Sequence, residues 1–250
     1  AKSSESYLNI PAIITAAEMT GCDAIFPGYG FLSENQDFVE ICQLHNIKFI
    51  GPSVEVMEKM ADKSKAKDEM IKAGVPVVPG SKGAVHSVEE GRRVALEIGY
   101  PIMAKASAGG GGRGMRLIEN EDKFDQLFTA ASSEALAAFG DGTMYLERFI
   151  NNPRHIEVQV VGDSHGNAIH IGERDCSLQR RHQKVIEESP AILLNDETRA
   201  KLHDVAVKAT KYLKYEGAGT FDFLADDKQN IYFMEMNTRL QVEHPVSEMV

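Results

Sequence analysis

The 250-residue sequence has few cysteines, no long apolar run and no excess of positive charge. Its three cysteines, Cys22, Cys42 and Cys176, lie far apart without a Cys-x-x-Cys pair, which argues against a disulfide framework and favours reduced thiols in a cytoplasmic or organelle-matrix protein. No stretch reaches the roughly 20 apolar residues that a membrane span needs. With 27 basic and 37 acidic residues, the net charge of −10 disfavours nucleic acid and anionic lipid as partners.

Both termini also lack familiar signals. The sequence begins without an initiator methionine, and its first residues lack the charged start and apolar middle of a signal peptide. Residues 245–250 carry no signal that would end a helix or a domain. We therefore expect the chain to be a fragment of a longer protein.

The apolar pattern predicts helices that alternate with strands in the first third of the chain. Residues 11–20 and 33–45 are predicted helices, the second opened by a capping box between Ser33 and Gln36. Residues 24–26 and 48–50 are predicted strands, and such alternation is typical of a parallel sheet. Further on, the pattern predicts helices at 54–60, 63–73, 121–133 and about 196–213, and one more that begins at Ser87. It predicts a hinge at 74–80. The predicted strands are 102–104, 116–118, 144–148, 156–161, 168–172, 219–224 and 231–236.

A glycine-rich loop at residues 108–114 is the most conspicuous motif. Its glycines satisfy the dinucleotide pattern G-x-G-x-x-G, but residues 115–118 read as a strand, so the loop joins two strands and opens no helix. No Gly-Lys-Ser/Thr ends it, which also excludes a Walker A loop. A flexible surface turn is one interpretation. Because ordering consecutive glycines costs entropy, we favour a flap whose backbone N–H groups approach nucleotide phosphates, with Lys105 as a nearby charge.

Polar and apolar residues alternate from Glu235 to Glu243. In an extended backbone the odd-numbered side chains would share one face, either as a solvated strand or as a site. The predicted hairpin of strands 219–224 and 231–236 brings Asp222 close to Glu235. Two carboxylates beside a polyphosphate indicate Mg²⁺, while Arg239 suits a small planar oxyanion and Glu243 is a candidate base.

A basic run at residues 180–184 has three interpretations. A nucleic-acid patch fits poorly with an acidic chain, and a solvated strand is an ordinary alternative. We favour phosphate handling, with Lys184 as the residue that neutralises charge.

Together these motifs resemble the biotin carboxylase branch of the ATP-grasp superfamily over essentially the whole chain. The resemblance is carried by residues 27–35, by 105–107 with the glycine loop, and by 152–155, 174–184 and 235–245. It implies a mixed α/β and α+β ATP-grasp fold. The expected divisions are a partial N-terminal parallel-sheet domain at 1–60, a linker with a glycine-loop lid at 61–150, and a C-terminally truncated catalytic subdomain at 151–250.

The resemblance also implies an activity and its site residues. The activity is ATP- and bicarbonate-dependent carboxylation of biotin on a carrier protein through carboxyphosphate, the first half-reaction of acetyl-CoA carboxylase. Glu243, Arg239 and Lys184 are the expected catalytic residues, and Mg²⁺ or Mn²⁺ is expected on Asp222, Glu235 and Asn237. The residues expected to bind ATP, bicarbonate or biotin are Lys63, Lys105, Gly110, Gly111, Gly112, Gly114, Met115, Glu147, Phe149, His155, Gln179, His182, Asn237, Gln241, Val242 and Tyr29.

Several points stay open at the level of sequence. Asp222 stands where the family often has glutamate, which shortens one metal-binding arm. The parent enzyme could be a pyruvate or propionyl-CoA type of carboxylase, and residues 239–245 also resemble carbamoyl-phosphate synthetase. A third alternative is a truncated module that binds nucleotide without chemistry. A carboxyltransferase partner and a homodimer of the full-length protein are expected from the family.

Overall fold

The structure is a computed structural model that describes residues 2–106, 114–180 and 183–250, apart from the side chains of Lys63 and Ser64. Its contacts divide the chain into two compact units, Ala1–Val77 with Asn152–Val250, and Val78–Asn151. The helices of the described residues are α1 (Ile10–Thr20), α2 (Gln36–Leu44), α3 (Val54–Ala61), α4 (Lys63–Ala73), α5 (Val88–Ile98), α6 (Phe124–Phe139), α7 (Asp196–Leu213) and α8 (His244–Glu248). The strands are β1 (Ala24–Ile25), β2 (Lys48–Phe49), β3 (Ile102–Ala106), β4 (Met115–Ile118), β5 (Met144–Arg148), β6 (Arg154–Gly162), β7 (Ala168–Arg180), β8 (Gln183–Glu188), β9 (Gly217–Ala225) and β10 (Ile231–Asn237).

The first 50 residues form a small parallel α/β layer. Strands β1 and β2 pair in parallel, as the alternation of helices and strands predicts. The helix α2 begins later than the predicted capping box, because the Asn35 side chain accepts the hydrogen bond from the Phe38 N–H. The prediction that Ser33 caps this helix is therefore wrong, and Ser33 lies buried in the preceding turn.

The larger sheet of the first unit has the strand order β10–β9–β6–β7–β8, with antiparallel pairs throughout. Its two faces differ in chemistry. On one face Ile156, Val158 and Phe221 join a core that includes residues of α4 and α7. The opposite face carries the intervening polar side chains, since successive side chains on a strand point to opposite faces. Burial of both faces along β6 and β9 makes these two strands the scaffold of the candidate site.

The second unit, Val78–Asn151, has its own core. Strands β4–β3–β5 form an antiparallel sheet, and α5 and α6 cover it with Phe124 and Phe128 in the interior. Strands β3 and β4 pair directly on either side of residues 107–113, which confirms the predicted strand–loop–strand arrangement. The loop glycines from 107 to 113 lie outside the described residues.

Strand β10 ends earlier than the alternating polar row predicts. It stops at Asn237, residues 238–241 are irregular, a turn follows at 242–243, and α8 begins at His244. The expectation of one extended face from Glu235 to Glu243 is therefore wrong. A physical reason is the anchoring of Thr238 by Glu34, which takes the Thr238 N–H out of a sheet ladder. None of the described helices is long and apolar enough to span a bilayer.

Candidate active site

The candidate site is built on the polar face of the large sheet. Glu157 on β6 pairs in register with Asp222 on β9 and with Arg174 on β7, so three charged residues lie side by side across neighbouring strands. All three are almost fully buried. Because buried charges are costly unless they are paired, this arrangement requires close partners, and the structure supplies them.

Lys184 links two carboxylates in this site. Its ammonium contacts the Glu157 carboxylate and lies 2.5 Å from Glu243 Oε1. Burial alone would lower the pKa of Lys184, but Glu157, Asp222 and Glu243 raise it above its usual value, so the ammonium stays charged.

The same contact sets the ionisation of Glu243. Burial by itself would raise the pKa of Glu243, but the hydrogen bond from Lys184 outweighs it and holds the pKa below its ordinary value. Glu243 is therefore ionised at neutral pH and able to accept a proton. The structure thus brings together Lys184 and Glu243, two of the expected catalytic residues, although 59 positions separate them in sequence.

His155 lies beside the buried carboxylates on the same face. Its Nε2 is 3.3 Å from Asp222 and 3.5 Å from Glu157, while its Nδ1 is 2.9 Å from the Gln179 amide nitrogen. Burial alone would lower the pKa of His155, and the two carboxylates reverse that effect and raise it. Burial also raises the pKa of Asp222, to about 6.

The described residues contain one cluster with metal-binding geometry. Ligand atoms of His155, Glu157 and Asp222 all lie within 4.8 Å of one another. The expected set of Asp222, Glu235 and Asn237 overlaps it: Glu235 is the register partner of Asp222, and the Asn237 amide donates to Asp222 across 3.2 Å. Asp222 Oδ1 is buried and accepts no hydrogen bond from any described residue.

Arg174 is the fully buried cation that organises the turn after β10. Its guanidinium donates to Glu157 (3.1 Å), Gln159 (3.0 Å), Gln241 (3.1 Å) and Ser247 (2.8 Å). Gln241, expected near bicarbonate, is thereby fixed and only 4% exposed. Val242, the next residue, is an exposed member of the same turn.

Arg239 lies in the turn between β10 and α8. Its Nε donates to Glu34 across 2.8 Å, and its terminal nitrogens donate to Asn237 and to the Leu240 carbonyl oxygen. Arg239 keeps 24% of its side chain exposed. The guanidinium is therefore oriented by the protein and still accessible from solvent.

Other expected residues belong to the second unit. Lys105 on β3 and Glu147 on β5 form an ion pair of 2.5 Å, with both side chains partly exposed. Met115 begins β4, and the Phe149 N–H donates to the Pro101 carbonyl oxygen across 2.9 Å. Gly114 has a φ of +67°, and a Cβ there would lie 2.8 Å from Ala106 Cβ, so the position favours glycine.

The remaining expected residues include several that the structure does not describe in full. Gly110, Gly111, Gly112 and His182 lie outside the described residues. Lys63 is the first residue of α4, and its side chain also lies outside the described part of the chain. Tyr29, which is described, lies in the turn before α2 and is 54% exposed.

The sequence-based prediction missed several charged or polar residues of this site. Glu157 and Gln159 alternate with apolar residues on β6, whereas Arg174 lies between two acidic residues, Glu173 and Asp175, on β7. That alternation is visible in the sequence, but it also occurs in strands with one solvated face. Glu34 was within a recognised motif, yet its long-range contact with Arg239 leaves no local signal.

Comparisons with known proteins identify the family of this chain. The family model described as "Carbamoyl-phosphate synthase L chain, ATP binding domain" matches residues 62–250, and that described as "Biotin carboxylase, N-terminal domain" matches residues 1–57. A biotin carboxylase from Nostoc sp. is 58% identical over 99% of this chain and 56% of its own length. Biotin carboxylase 1 from Bacillus subtilis is 52% identical over 99% of this chain and 55% of its own length. The chain thus spans about half the length of these curated relatives.

Solved structures give the same result. A biotin carboxylase–β-γ-ATP complex from Campylobacter jejuni is 69% identical, with a TM-score of 0.81 over 100% of this chain and 56% of that one. The biotin carboxylase domain of a thermophilic 2-oxoglutarate carboxylase, bound to bicarbonate, is 50% identical, with a TM-score of 0.90 over 98% of this chain and 54% of that one. The chain belongs to the ATP-grasp family with the carbamoyl-phosphate synthase type of ATP-binding domain, and within it to the biotin carboxylases.

Proposed function

We propose that this chain is the ATP- and bicarbonate-activating part of an enzyme that carboxylates biotin on a carrier protein through carboxyphosphate. The observation that carries the proposal is the Lys184 ammonium held between the carboxylates of Glu157 and Glu243. A charged lysine beside an ionised carboxylate combines an anion-binding group with a proton acceptor. Relatives named biotin carboxylase support the same reaction.

Glu243 is the proposed base. It removes the proton of bicarbonate, and the resulting oxygen attacks the γ-phosphorus of ATP, so ADP leaves and carboxyphosphate forms. Its lowered pKa keeps it ready to accept that proton at neutral pH. Carboxyphosphate then breaks down to CO₂ and phosphate. The phosphate takes the N–H proton of the biotin ureido group, and the freed nitrogen attacks the CO₂ to give carboxybiotin.

Arg239, Lys184, Gln241 and Val242 are the proposed bicarbonate-binding residues. Arg239 offers a planar fork and Lys184 a point charge, which together match a small planar oxyanion. Binding in a defined orientation beside Glu243 would supply much of the rate, because positioning and charge stabilisation dominate phosphoryl transfer. The related domain from a thermophilic 2-oxoglutarate carboxylase has been solved bound to bicarbonate, which supports this assignment.

Asp222, Glu235 and Asn237 are the proposed residues for Mg²⁺ or Mn²⁺. The buried Asp222 Oδ1, which accepts no hydrogen bond from the described residues, would suit a bound cation. Carboxylate and carboxamide oxygens are also the donors that Mg²⁺ takes. When bound, the metal neutralises the charge of the nucleotide phosphates.

The proposed nucleotide-binding residues follow the family resemblance. Lys63, Lys105 and the loop glycines Gly110, Gly111, Gly112 and Gly114, with Met115, are assigned to the phosphates. Glu147 and Phe149 are assigned to adenine, and His155, Gln179 and His182 to the ribose and phosphates. Tyr29 is assigned to the biotin region. A biotinylated carrier protein, a carboxyltransferase, a homodimer and a cytoplasmic location complete the proposal.

Turnover of MgATP by this chain tests the proposal. We expect hydrolysis to depend on bicarbonate, to rise on addition of free biotin, and to be lost in Glu243→Gln and Lys184→Ala, while an exposed-site control, Lys59→Ala, behaves like the unmodified chain. Tight MgATP binding without bicarbonate-dependent turnover would mean that the chain only binds nucleotide. Stimulation by ammonia instead of biotin would favour the carbamoyl-phosphate type of reaction.

A further inference from the structure

We propose that Glu34 is a positioning residue of the bicarbonate site, where it holds the Arg239 guanidinium so that two N–H groups face the anion. The inference rests on the proposed function, because it specifies how the same site binds bicarbonate. Glu34 belongs to the N-terminal segment, and the proposed function assigns it no contact with a substrate.

Both carboxylate oxygens of Glu34 are engaged. Oε2 accepts a hydrogen bond from Arg239 Nε across 2.8 Å, and Oε1 accepts from the N–H and the hydroxyl of Thr238, each across 3.1 Å. Thr238 is only 4% exposed, so the anchor on this side is buried. Glu34 therefore fixes both the backbone before Arg239 and the direction of its side chain.

A donor count for Arg239 gives the reason for this contact. A guanidinium carries five N–H donors. One goes to Glu34, one to the Asn237 side chain and one to the Leu240 carbonyl oxygen, and these are its partners among the described residues. One donor remains on each terminal nitrogen. Two parallel N–H groups are what bidentate binding of a planar oxyanion requires.

The turn that carries Glu34 is held by local backbone contacts and by the start of α2. Gly28 and Gly30 adopt positive φ values of 64° and 74°, which suit glycine. Ser33 is buried and its N–H donates to the Gly30 carbonyl oxygen, while the next residue after Glu34, Asn35, caps α2. Glu34 thus projects from a fixed turn 205 positions away from Arg239 in sequence.

The ion pair with Arg239 is exposed, whereas the hydrogen bonds that Glu34 accepts from Thr238 are buried. Glu34 keeps 42% of its side chain exposed and Arg239 keeps 24%, and ion pairs of this kind contribute little to folding. Loss of the Glu34 carboxylate should therefore release Arg239 and also leave Thr238 without its acceptor, so Glu34→Gln, which keeps one acceptor oxygen, separates the two effects.

The test measures bicarbonate binding at Arg239 directly. In chain labelled with ¹⁵N-arginine, the Arg239 Nε–H signal is assigned with Arg239→Lys and followed while sodium bicarbonate is added in the presence of MgADP. We expect Glu34→Ala to broaden this signal and to weaken bicarbonate binding roughly tenfold, the scale of a lost charge-assisted hydrogen bond. MgADP affinity should stay unchanged. Glu34→Gln, which keeps an acceptor oxygen, should recover part of the affinity.

Glu18→Ala is the matched control. Glu18 is an exposed acid of the same N-terminal segment whose partner is His45, so its loss should leave the Arg239 signal and bicarbonate affinity unaltered. The positioning role is refuted if Glu34→Ala binds bicarbonate as the unmodified chain does, or if it loses MgADP affinity and folding together. If the unmodified chain binds MgADP but its Arg239 signal ignores bicarbonate, the proposed function itself fails.

Discussion

At the scale of single residues, Glu173 is a buried carboxylate that contributes to stability. It lies on β7, only 2% exposed, and accepts hydrogen bonds from Arg199 Nε (2.8 Å), His203 Nε2 (2.6 Å) and the Ala191 N–H (3.1 Å). Burial raises its pKa, but these partners outweigh burial and lower the pKa from 4.5 to about 2. The other titratable groups nearby are His170, which stacks on His203, Asp196, which pairs with Arg199, and Asp204.

This shift predicts a pH-dependent contribution to stability. A carboxylate whose pKa is depressed in the folded state stabilises fully above its unfolded pKa, about 4.5, and the effect disappears as the pH falls toward 2. We expect Glu173→Gln to lower the free energy of unfolding by about 3 kcal/mol at pH 7, and by less at pH 3.5. Urea unfolding of both proteins at the two pH values measures the difference.

Asp196→Asn provides the control for that experiment. Asp196 contacts the same Arg199 but is fully exposed, so its replacement should change stability little at either pH. A pH-independent loss in Glu173→Gln would contradict the assignment of the effect to the charge of this carboxylate.

At the scale of elements, the cap of α2 gives a direct prediction. Because Asn35 accepts the Phe38 N–H across 2.8 Å, we expect Asn35→Ala to destabilise the chain by about 1 kcal/mol. Ser33→Ala should cost less, because Ser33 does not cap α2. Thermal or urea unfolding of the two variants compares them, and an equal or larger loss for Ser33→Ala would support the capping box that the sequence pattern predicts.

The strand β6 ends in a glycine that allows no side chain. A Cβ at Gly162 would lie 2.0 Å from the Tyr215 carbonyl oxygen, whereas at Gly166, in the next turn, it would meet nothing within 4 Å despite a φ of +84°. We expect Gly166→Ala to cost about 1 kcal/mol from backbone strain. Gly162→Ala should lower the free energy of unfolding clearly more, because its Cβ would overlap the Tyr215 carbonyl oxygen. Chemical denaturation of the two variants measures both losses. A larger loss for Gly166→Ala would contradict this interpretation.

The elements also explain which predictions succeeded. Strands with apolar alternation, such as β5 and β9, and the helix α7 were predictable because local pattern and burial agree. The end of β10 was not, because a contact with Glu34, about 200 positions away, determines it. In the candidate site, Lys184 and Glu243 were named from motifs, and the structure shows them in contact, while their catalytic role stays a prediction. Glu157 was missed because a buried polar face has the same sequence pattern as a solvated one, and Arg174 because it lies within a run of charged residues, Glu173 to Asp175.

At the scale of the whole molecule, the second unit has the properties of an independent folding unit. Its chain enters and leaves on adjacent backbone, since the Arg148 N–H donates to the Pro79 carbonyl oxygen and Gly80 bridges to Glu147. We expect a peptide of residues 78–151 to fold with a cooperative thermal transition seen by circular dichroism. Phe128→Ala, which opens its core, should abolish that transition, while the exposed Leu136→Ala should not. If the peptide of residues 78–151 were disordered, the second unit would not be an independent folding unit.

The family models divide the chain differently from its contacts. One model ends at residue 57 and the other begins at residue 62, whereas the compact units separate at Val77 and Asn151. The division at 60 and 150 stays a prediction. Partial unfolding followed by hydrogen exchange would test it, because residues of one folding unit exchange together.

The two-faced sheet has a consequence for how this protein can change over time. Along β6, stability and chemistry occupy alternating positions, with Ile156 and Val158 in the core and Glu157 among the charges. Loss or gain of one residue within the strand would exchange the two sets, whereas a change in the turn at Gly166 would leave them in phase. The alternation of side chains along β6 therefore limits which mutations this protein can accept. Single substitutions can accumulate within the strand, whereas insertions and deletions are confined to the turns.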